Sequence, residues 1–336
     1  MINSSHVQID EYANAIRKGD RAVLAKAVTL VESTRPADQH IAGDLLERLL
    51  PHTGNSLRIG ITGAPGAGKS TFIEAFGAML LRDGKKIAVL TIDPSSQRTG
   101  GSILGDKTRM PELTRDARAF IRPSPSGTAM GGVAAGTRET ILLCEAAGYD
   151  SILIESVGTG QSEIALKGMV DFFLLLVLPG SGDELQGMKK GIVEMADAVA
   201  ITKADGENRK AAQRTSADFQ HALHFVPKQP SGWMPQAMVC SALEKNGLSE
   251  IWSNIQKYEQ AMSANGFLTA NRSAQQISWF KENFNSLLVS DPSRFAAVLE
   301  EQAALMNLVQ SQKLFPRKAA QQLLNAYHQA VRRTKE

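Results

Sequence analysis

Two short segments of the sequence carry residue types suited to binding a nucleotide. The first, GAPGAGKST at residues 63–71, matches G-x-x-x-x-G-K-[ST] and lies between an apolar run and a helical pattern. Glycines at these spacings let backbone N–H groups surround phosphate oxygens, and the helix N-terminus adds partial positive charge. The predicted phosphate-binding residues are Gly63, Ala64, Pro65, Gly66, Ala67, Gly68, Lys69, Ser70 and Thr71. Lys69 is expected to reach the β- and γ-phosphates, and the Ser70 hydroxyl to ligate Mg²⁺.

The second segment is TKAD, residues 202–205, which follows an apolar run. An aspartate at the position of Asp205 accepts hydrogen bonds from N1–H and the 2-amino group of guanine, which adenine does not offer. The common form of this motif is N-K-x-D, so Thr202 replaces an asparagine and Lys203 is retained. After the last apolar run, the predicted guanine-O6 contact is a backbone N–H within Ser241, Ala242 and Leu243. The alternative is a polar strand end without a ligand.

A third group of residues predicts the metal site and the sensor of the γ-phosphate. The run SILIE ends in ESVGTGQSE, so Glu155 stands where D-x-x-G proteins have aspartate, and Gly158 stands at the sensing glycine. Asp93, in TIDPSS, ends another apolar run and is a second Mg²⁺ candidate, because Mg²⁺ prefers oxygen ligands. The alternatives are a helix cap at Asp93 and a surface carboxylate at Glu155.

The elements that position these residues alternate along the middle of the chain. Apolar runs separated by helical patterns indicate a mostly parallel sheet covered on both faces. The runs are LRIGIT, KIAVLTID, AFIR, SILIES, DFFLLLVL (within the buried run MVDFFLLLVL), DAVAITK and AMVCSAL. We predict an α/β P-loop NTPase fold with three regions: an N-terminal helical extension at 1–55, in which Asp20 caps a helix, a G domain at 56–260 and C-terminal helices at 261–336.

Composition narrows the function classes. The 336 residues carry a formal net charge of +3 with dispersed Lys and Arg, so we expect no nucleic-acid partner. The sequence has no 18-residue apolar run and its start lacks a signal-peptide pattern, so we expect no membrane partner. The two cysteines, Cys144 and Cys240, lie far apart in apolar surroundings, which favours reduced core thiols and a cytoplasmic location.

With these residues identified, the sequence resembles the MeaB/ArgK family of G proteins, chaperones of adenosylcobalamin-dependent acyl-CoA mutases. Besides the P-loop, the resemblance rests on DPSSQRTGGSILGDKTRM, AFIRPSPS, RETILLCEAAGYD, ESVGTGQSE, GDELQGMKKG and TKAD. It implies a homodimer with a C-terminal dimerisation arm, association with methylmalonyl-CoA mutase, gating of cofactor delivery and protection of the mutase. It also implies that Asp106 joins Ser70, Asp93 and Glu155 near the metal.

The resemblance also assigns a role to the segment LPGSGDELQGMKKG, residues 178–191. The family treats this segment as a third switch that contacts the mutase and changes with nucleotide state, through Asp183, Gln186 and Lys189. Lys189 would then act like an arginine finger with Gln186 beside it, which makes Lys69, Gln186 and Lys189 the candidate catalytic residues. The alternative is a helix-entry loop with solvated charges.

The resulting hypothesis is a cytosolic GTPase that uses GTP, GDP and Mg²⁺ and regulates cofactor loading of a cobalamin-dependent mutase. An ATP-dependent protein kinase linked to transport is one alternative, and Asp205 argues against its adenine selectivity. A GTP-driven metallochaperone for a nickel enzyme is another, but the sequence has no His-rich tract or Cys/His cluster. A third is a structural protein that binds nucleotide without turnover.

Overall fold

The structure, a computed structural model, describes residues 6–93, 110–125, 135–156, 161–181, 190–227, 229–290, 295–310, 314 and 316–333. Its contacts divide the chain into two compact units, Met1–Gln275 and Gln276–Glu336. The three-region division expected from the sequence stays a prediction.

A seven-stranded sheet forms the centre of the first unit. Its strands are β1 (Leu57–Gly63), β2 (Ile87–Asp93), β3 (Ala119–Pro125), β4 (Ser151–Ser156), β5 (Phe172–Val177), β6 (Ala198–Ile201) and β7 (Gln236–Val239). The order is β3-β2-β4-β1-β5-β6-β7, and every neighbouring pair is parallel. Each predicted apolar run contains one strand, so the predicted parallel sheet is confirmed. The run at 169–178 forms a shorter strand than predicted, because residues 169–171 belong to the turn before β5.

Helices connect the strands and precede them. In chain order they are α1 (His6–Arg17), α2 (Arg21–Val31), α3 (Pro36–Leu49), α4 (Lys69–Arg82), α5 (Pro111–Arg115), α6 (Ala135–Ala146), α7 (Gln161–Lys167), α8 (Lys190–Met195), α9 (Asn208–Leu223), α10 (Leu248–Ala264), α11 (Phe267–Ser290), α12 (Ala296–Gln310) and α13 (Pro316–Arg333). Helix α11 begins in the first unit and ends in the second.

Both faces of the sheet are buried. Along β4, Leu153 packs into a core with helices α4, α5 and α10, whereas Ile152 and Ile154 pack into a core on the opposite face. Successive strand side chains point to opposite faces, and here both faces are covered, so the strands read as uninterrupted apolar runs rather than as alternating ones.

The three N-terminal helices pack into one of these two cores. Ile16, Leu24 and Leu45, from α1, α2 and α3, belong to the same cluster of buried side chains as Ile152 of the sheet. The predicted cap is confirmed: the Asp20 carboxylate accepts hydrogen bonds from the backbone N–H groups of residues 22 and 23, at 2.9 and 3.1 Å.

A cluster of paired charges, which we call the amino-edge cluster, lies where β1 and β5 begin. Its members are Arg58, Glu145, Asp171 and Arg272. The Arg58 guanidinium donates to both Glu145 oxygens at 2.8 and 3.0 Å, and the Arg272 guanidinium donates to both Asp171 oxygens at 2.7 and 2.6 Å. Both carboxylates are fully buried. Bidentate pairs of this kind satisfy the charges that burial would otherwise penalise.

In the second unit, α12 and α13 pack against each other. The Phe295 and Tyr327 rings meet edge to face, with centroids 6.0 Å apart. An apolar groove of about 320 Å³ lies along this helix pair, lined by Leu305, Met306, Val309 and Leu323 among others.

Among the described residues, no helix is both long and apolar enough to cross a membrane. Cys144 and Cys240 are buried free thiols, as the sequence predicts. Burial raises the pKa of the Cys240 thiol to about 12.

Candidate functional site

The turn between β1 and α4 has a backbone that only glycine tolerates at key points. A Cβ on Gly63 would lie 2.4 Å from the Leu176 carbonyl oxygen of the adjacent strand β5, which is an impossible contact. Gly68 caps α4 in the left-handed conformation, with φ of 83°. Residues 64–66 between them are exposed, while α4 begins directly behind the turn at Lys69. The loop therefore presents backbone N–H groups and a helix N-terminus to solvent, as a phosphate site requires.

The Lys69 ammonium is folded back onto this loop. It donates to the carbonyl oxygens of Gly63 at 2.8 Å and Ala64 at 3.2 Å. Lys69 is only 9% exposed, and this burial lowers the pKa of its ammonium, against the opposing effect of the Glu155 and Glu163 carboxylates. A cation held near neutral carbonyl groups and close to the loop is positioned to exchange those partners for phosphate oxygens.

Ser70 and Glu155 come together at the carboxyl end of the sheet. Glu155 in β4 is in register with Ile61 of β1 and Thr91 of β2, so it lies between the P-loop strand and the strand that ends at Asp93. The Ser70 hydroxyl donates to Glu155 Oε1 at 3.2 Å. Strand β2 ends at Asp93 on this same edge, although the Asp93 side chain lies outside the described residues.

The segment TKAD, residues 202–205, which is predicted to bind the guanine base and is called the base loop here, contacts the P-loop through Thr202. Its buried hydroxyl donates to the Ala67 carbonyl at 2.7 Å and lies 3.2 Å from the carbonyl oxygen of Val177. Lys203 follows with a positive φ of 52°, and its Cε lies 3.8 Å from where a Cβ on Gly68 would stand. The threonine that replaces asparagine in this motif therefore ties the base loop to the phosphate loop.

Asp205 is oriented by the segment after β7. The Ser241 hydroxyl donates to Asp205 Oδ2 at 2.6 Å and accepts from the Glu244 N–H at 3.1 Å. Backbone hydrogen bonds pair Ser241 with Asn246 in both directions and close a tight turn that includes Ala242 and Leu243. Leu243 is exposed at the tip of this turn. The Ser241 hydroxyl therefore orients the carboxylate through Oδ2, and Oδ1 accepts no hydrogen bond from the residues that the structure describes.

Comparison with known proteins decides the family. The family model described as methylmalonyl Co-A mutase-associated GTPase MeaB matches residues 24–295 of this chain.

The chain belongs to the MeaB family.

Named relatives agree with this membership. GTPase ArgK of Escherichia coli is 48% identical over 282 residues, which cover 84% of this chain and 85% of the relative. A mouse protein named methylmalonic aciduria type A homolog, mitochondrial, is 45% identical over 334 residues, which cover 95% of this chain and 79% of that protein. A crystal structure described as LAO/AO transport system kinase superposes with a TM-score of 0.77 at 37% identity and covers 96% of this chain and 98% of that one. This MeaB-family protein is a GTPase with a P-loop NTPase fold, and it binds guanine nucleotide.

Some predicted site residues of this MeaB-family GTPase fall outside the described part of the chain. They are Asp106, Gly158, Asp183, Gln186 and Lys189. The roles proposed for them from the sequence stay predictions. Of the segment 178–191, the structure describes residues 178–181, where Gly180 N–H donates to the Thr215 hydroxyl at 2.9 Å, and residues 190–191, which begin α8.

Sequence reasoning missed one charged residue of this MeaB-family site, Glu163 on α7. It is 1% exposed, and its charge acts on the buried Lys69. The only available signal was its position at the end of ESVGTGQSE, where no spacing rule separates it from an exposed helical glutamate.

Proposed function

We propose that this GTPase is a chaperone that gates cofactor loading of an adenosylcobalamin-dependent acyl-CoA mutase, of the methylmalonyl-CoA mutase type, and protects that mutase. The observation that carries the proposal is the match to the mutase-associated family over residues 24–295. The mouse relative, named for methylmalonic aciduria, supports the same client. The order of motifs along the chain, from P-loop to TKAD, supports guanine-nucleotide control of that task.

The geometry of the site supports GTP as the controlling nucleotide. Asp205, held by Ser241, offers a carboxylate to the N1–H and 2-amino donors of guanine. Lys69 and the backbone N–H groups of the P-loop bind the phosphates. Their charge and preorganised dipoles stabilise the negative charge that develops on the transferred phosphoryl group.

We assign Mg²⁺ to Ser70, Asp93, Asp106 and Glu155. The Ser70 hydroxyl and the Glu155 carboxylate, 3.2 Å apart, form an all-oxygen pair of the kind that Mg²⁺ prefers. Asp93 ends the strand next to Glu155, which supports its inclusion. When bound, Mg²⁺ supplies positive charge to the phosphate oxygens.

The decisive experiment reconstitutes the client reaction. Purified mutase apoenzyme is mixed with adenosylcobalamin and this protein, and loading is followed by cofactor absorbance with GTP, with GDP or without nucleotide. We expect complex formation and nucleotide-dependent loading. A protein that neither binds the mutase nor changes its loading in any nucleotide state would contradict the chaperone function while leaving the GTPase activity untouched.

Lys189 gives this proposal a residue-level test. If Lys189 stabilises the transition state in the complex, Lys189→Ala should keep basal hydrolysis but lose about 10- to 1,000-fold of the acceleration caused by the mutase. Single-turnover GTP hydrolysis with saturating mutase measures this loss, and Lys190→Ala, at the adjacent lysine, is the matched control. If the mutase still stimulates GTP hydrolysis by Lys189→Ala to the wild-type extent in a normally formed complex, residues 178–191 are only a connecting loop.

We also propose a homodimer formed through the C-terminal unit. Ile277, Phe280, Phe284 and Leu287 are all more than half exposed on α11, at spacings of three, four and three residues. This spacing is a coiled-coil seam, which a second helix normally covers. The apolar groove along α12 and α13 adds a further surface of the same unit for a second copy.

Light scattering on the whole protein tests the dimer. We expect the unmodified protein to have the mass of two chains, and the double variant Phe280→Glu/Phe284→Glu the mass of one. Phe225→Glu is the control, because Phe225 is even more exposed than Phe280 and Phe284 but lies in the first unit. A wild-type monomer at micromolar concentration would contradict the proposal.

We assign the protein to the cytoplasm, a reducing compartment in which the buried free thiols remain unpaired.

A further inference from the structure

Two segments of the chain form the predicted base site, and the contact between Ser241 and Asp205 is not the only one that joins them. One segment is the base loop together with the first residues of α9, and the other is the turn at 241–246, which we call the base turn. The Arg209 guanidinium, in the first turn of α9, donates to Glu244 Oε2 at 2.6 Å. This pair connects the two segments a second time, and none of the roles given above uses it.

Glu244 contacts both ends of the base turn. Its backbone N–H donates to the Ser241 hydroxyl oxygen at 3.1 Å, and its Oε2 accepts from the side-chain amide of Asn246 at 3.1 Å. The backbone groups of Ser241 and Asn246 also pair with each other, at 3.0 and 3.1 Å. The base turn is therefore closed twice, once by its backbone and once through Glu244.

The backbone of the base turn needs such contacts. Lys245 is in the left-handed conformation, with φ of 57°, which is uncommon for residues other than glycine and must be held by the surroundings. The next glycine, Gly247, lies so close to β7 that a Cβ there would be 2.2 Å from the Val239 carbonyl oxygen. The end of the turn is thus fixed against the sheet, and the contacts of Glu244 decide where the rest of it lies.

The Ser241 hydroxyl connects Glu244 to Asp205. A serine hydroxyl has a single proton to donate. Because the Ser241 oxygen accepts from the Glu244 N–H, its own proton is directed to Asp205 Oδ2, at 2.6 Å. The position of Glu244 therefore sets the orientation of the carboxylate that is assigned to the N1–H and 2-amino groups of guanine.

We propose that Glu244 and Arg209 are positioning residues that hold the Asp205 carboxylate in the orientation that distinguishes guanine from a base without the 2-amino group. The inference rests on the assignment of Asp205 to the base. The side chains of Arg209 and Glu244 are 60% and 32% exposed, and exposed ion pairs contribute little to stability. Loss of the pair should therefore change the selection of the base rather than the stability of the fold.

The test compares GDP with IDP, whose base keeps N1–H and O6 but lacks the 2-amino group. Both nucleotides compete with a fluorescent GDP analogue for the full chain. Glu244→Ala should lower the preference for GDP over IDP by about three- to tenfold, mainly through weaker GDP binding. Its Tm should stay within about 2 °C of the wild type.

Further variants separate the pair from its surroundings. Arg209→Ala should cause a similar loss of preference, and the double variant should lose little more than either single one, because both act through one contact. Glu244→Gln keeps an acceptor oxygen for Arg209 and Asn246 and should retain most of the preference. Arg214→Ala, at an exposed arginine elsewhere on α9, is the control.

The ratio of the two affinities separates this role from a structural one. A pair that only supported the fold, or only the contact with O6, would cost GDP and IDP the same affinity when removed, and that result overturns the proposal. An unchanged preference in both Glu244→Ala and Arg209→Ala also overturns it. A wild-type protein that binds GDP and IDP equally would instead contradict the assignment of Asp205 to the base.

Discussion

The two ends of the central sheet bury charge in opposite ways. At the amino edge, Arg58 and Arg272 each donate two hydrogen bonds to a fully buried carboxylate. At the carboxyl edge, the ammonium of Lys69 donates to backbone carbonyl groups. Glu163, in the first turn of the helix that follows β4, is buried without an ion pair among the described residues. Paired charges stabilise one structure, whereas incompletely paired ones are positioned to take a ligand. The difference separates the end of the sheet that stabilises the fold from the end at which we propose that nucleotide binds.

This comparison makes a general prediction about substitutions. Changes at the amino edge should lower stability without altering nucleotide affinity, because those residues lie at the amino ends of β1 and β5, whereas the P-loop follows the carboxyl end of β1. Changes at the carboxyl edge should alter affinity or hydrolysis with little loss of stability. Four substitutions test the two halves of this statement.

The largest effect is expected at Arg272. Arg272→Met leaves the Asp171 carboxylate buried without its cation and should lower the free energy of unfolding by about 3–5 kcal/mol. Urea denaturation measures the loss, and Arg272→Lys, which keeps the charge without the two-pronged contact, should lose less. GDP affinity should stay within about twofold, since the sites are distant. A destabilisation below about 1 kcal/mol, or a large loss of GDP affinity, would remove the distinction between the two edges.

At the carboxyl edge, Asp205 is expected to control the choice of base. Asp205→Asn replaces one acceptor oxygen with an N–H donor, so GTP affinity should fall about 100-fold, and xanthosine triphosphate, whose 2-oxo group accepts, should bind better. Competition binding with GTP, ATP and xanthosine triphosphate measures the change. Asp218→Asn, at an exposed position on α9, is the control. Equal affinity of the unmodified protein for ATP and GTP would refute the base assignment.

The sequence predicts the fold better than it predicts which charged side chains are buried and which are paired. Apolar runs such as DFFLLLVL predict buried parallel strands because the signal is local, and the glycine spacing of the P-loop predicts its turn for the same reason. The pairing of Arg272 with Asp171 is not local: the two residues are 101 positions apart. Nothing in the sequence near Glu163 indicates that it is buried, because burial there depends on how α7 packs onto β1.

A substitution of Ser70 tests whether the carboxyl edge contributes to GTP hydrolysis. If Ser70 holds the proposed Mg²⁺, Ser70→Ala should slow GTP hydrolysis roughly 10- to 100-fold but weaken GDP binding far less, because GDP lacks the γ-phosphate whose charge the metal would neutralise. Single-turnover hydrolysis over a range of MgCl₂ concentrations measures both the rate and the metal requirement. Ser70→Thr keeps the hydroxyl and should remain close to wild type. Equal losses in hydrolysis and GDP binding would indicate a general defect of the loop.

The smallest effect is expected for a substitution of Thr202. It separates affinity for the nucleotide as a whole from preference for the base. The Thr202 hydroxyl contacts two buried carbonyl oxygens, those of Ala67 and Val177, at 2.7 and 3.2 Å. Thr202→Val keeps the shape but removes the hydrogen bonds, so affinity for GDP and GTP should fall together by about 2- to 10-fold, while Thr202→Ser should retain affinity. If the threonine holds the phosphate loop and Asp205 reads the base, as proposed, the ratio of GTP to xanthosine triphosphate affinity should not change. A shift in that ratio would mean that Thr202 takes part in recognising the base. The assignment of Thr202 to the phosphate loop alone would then be wrong.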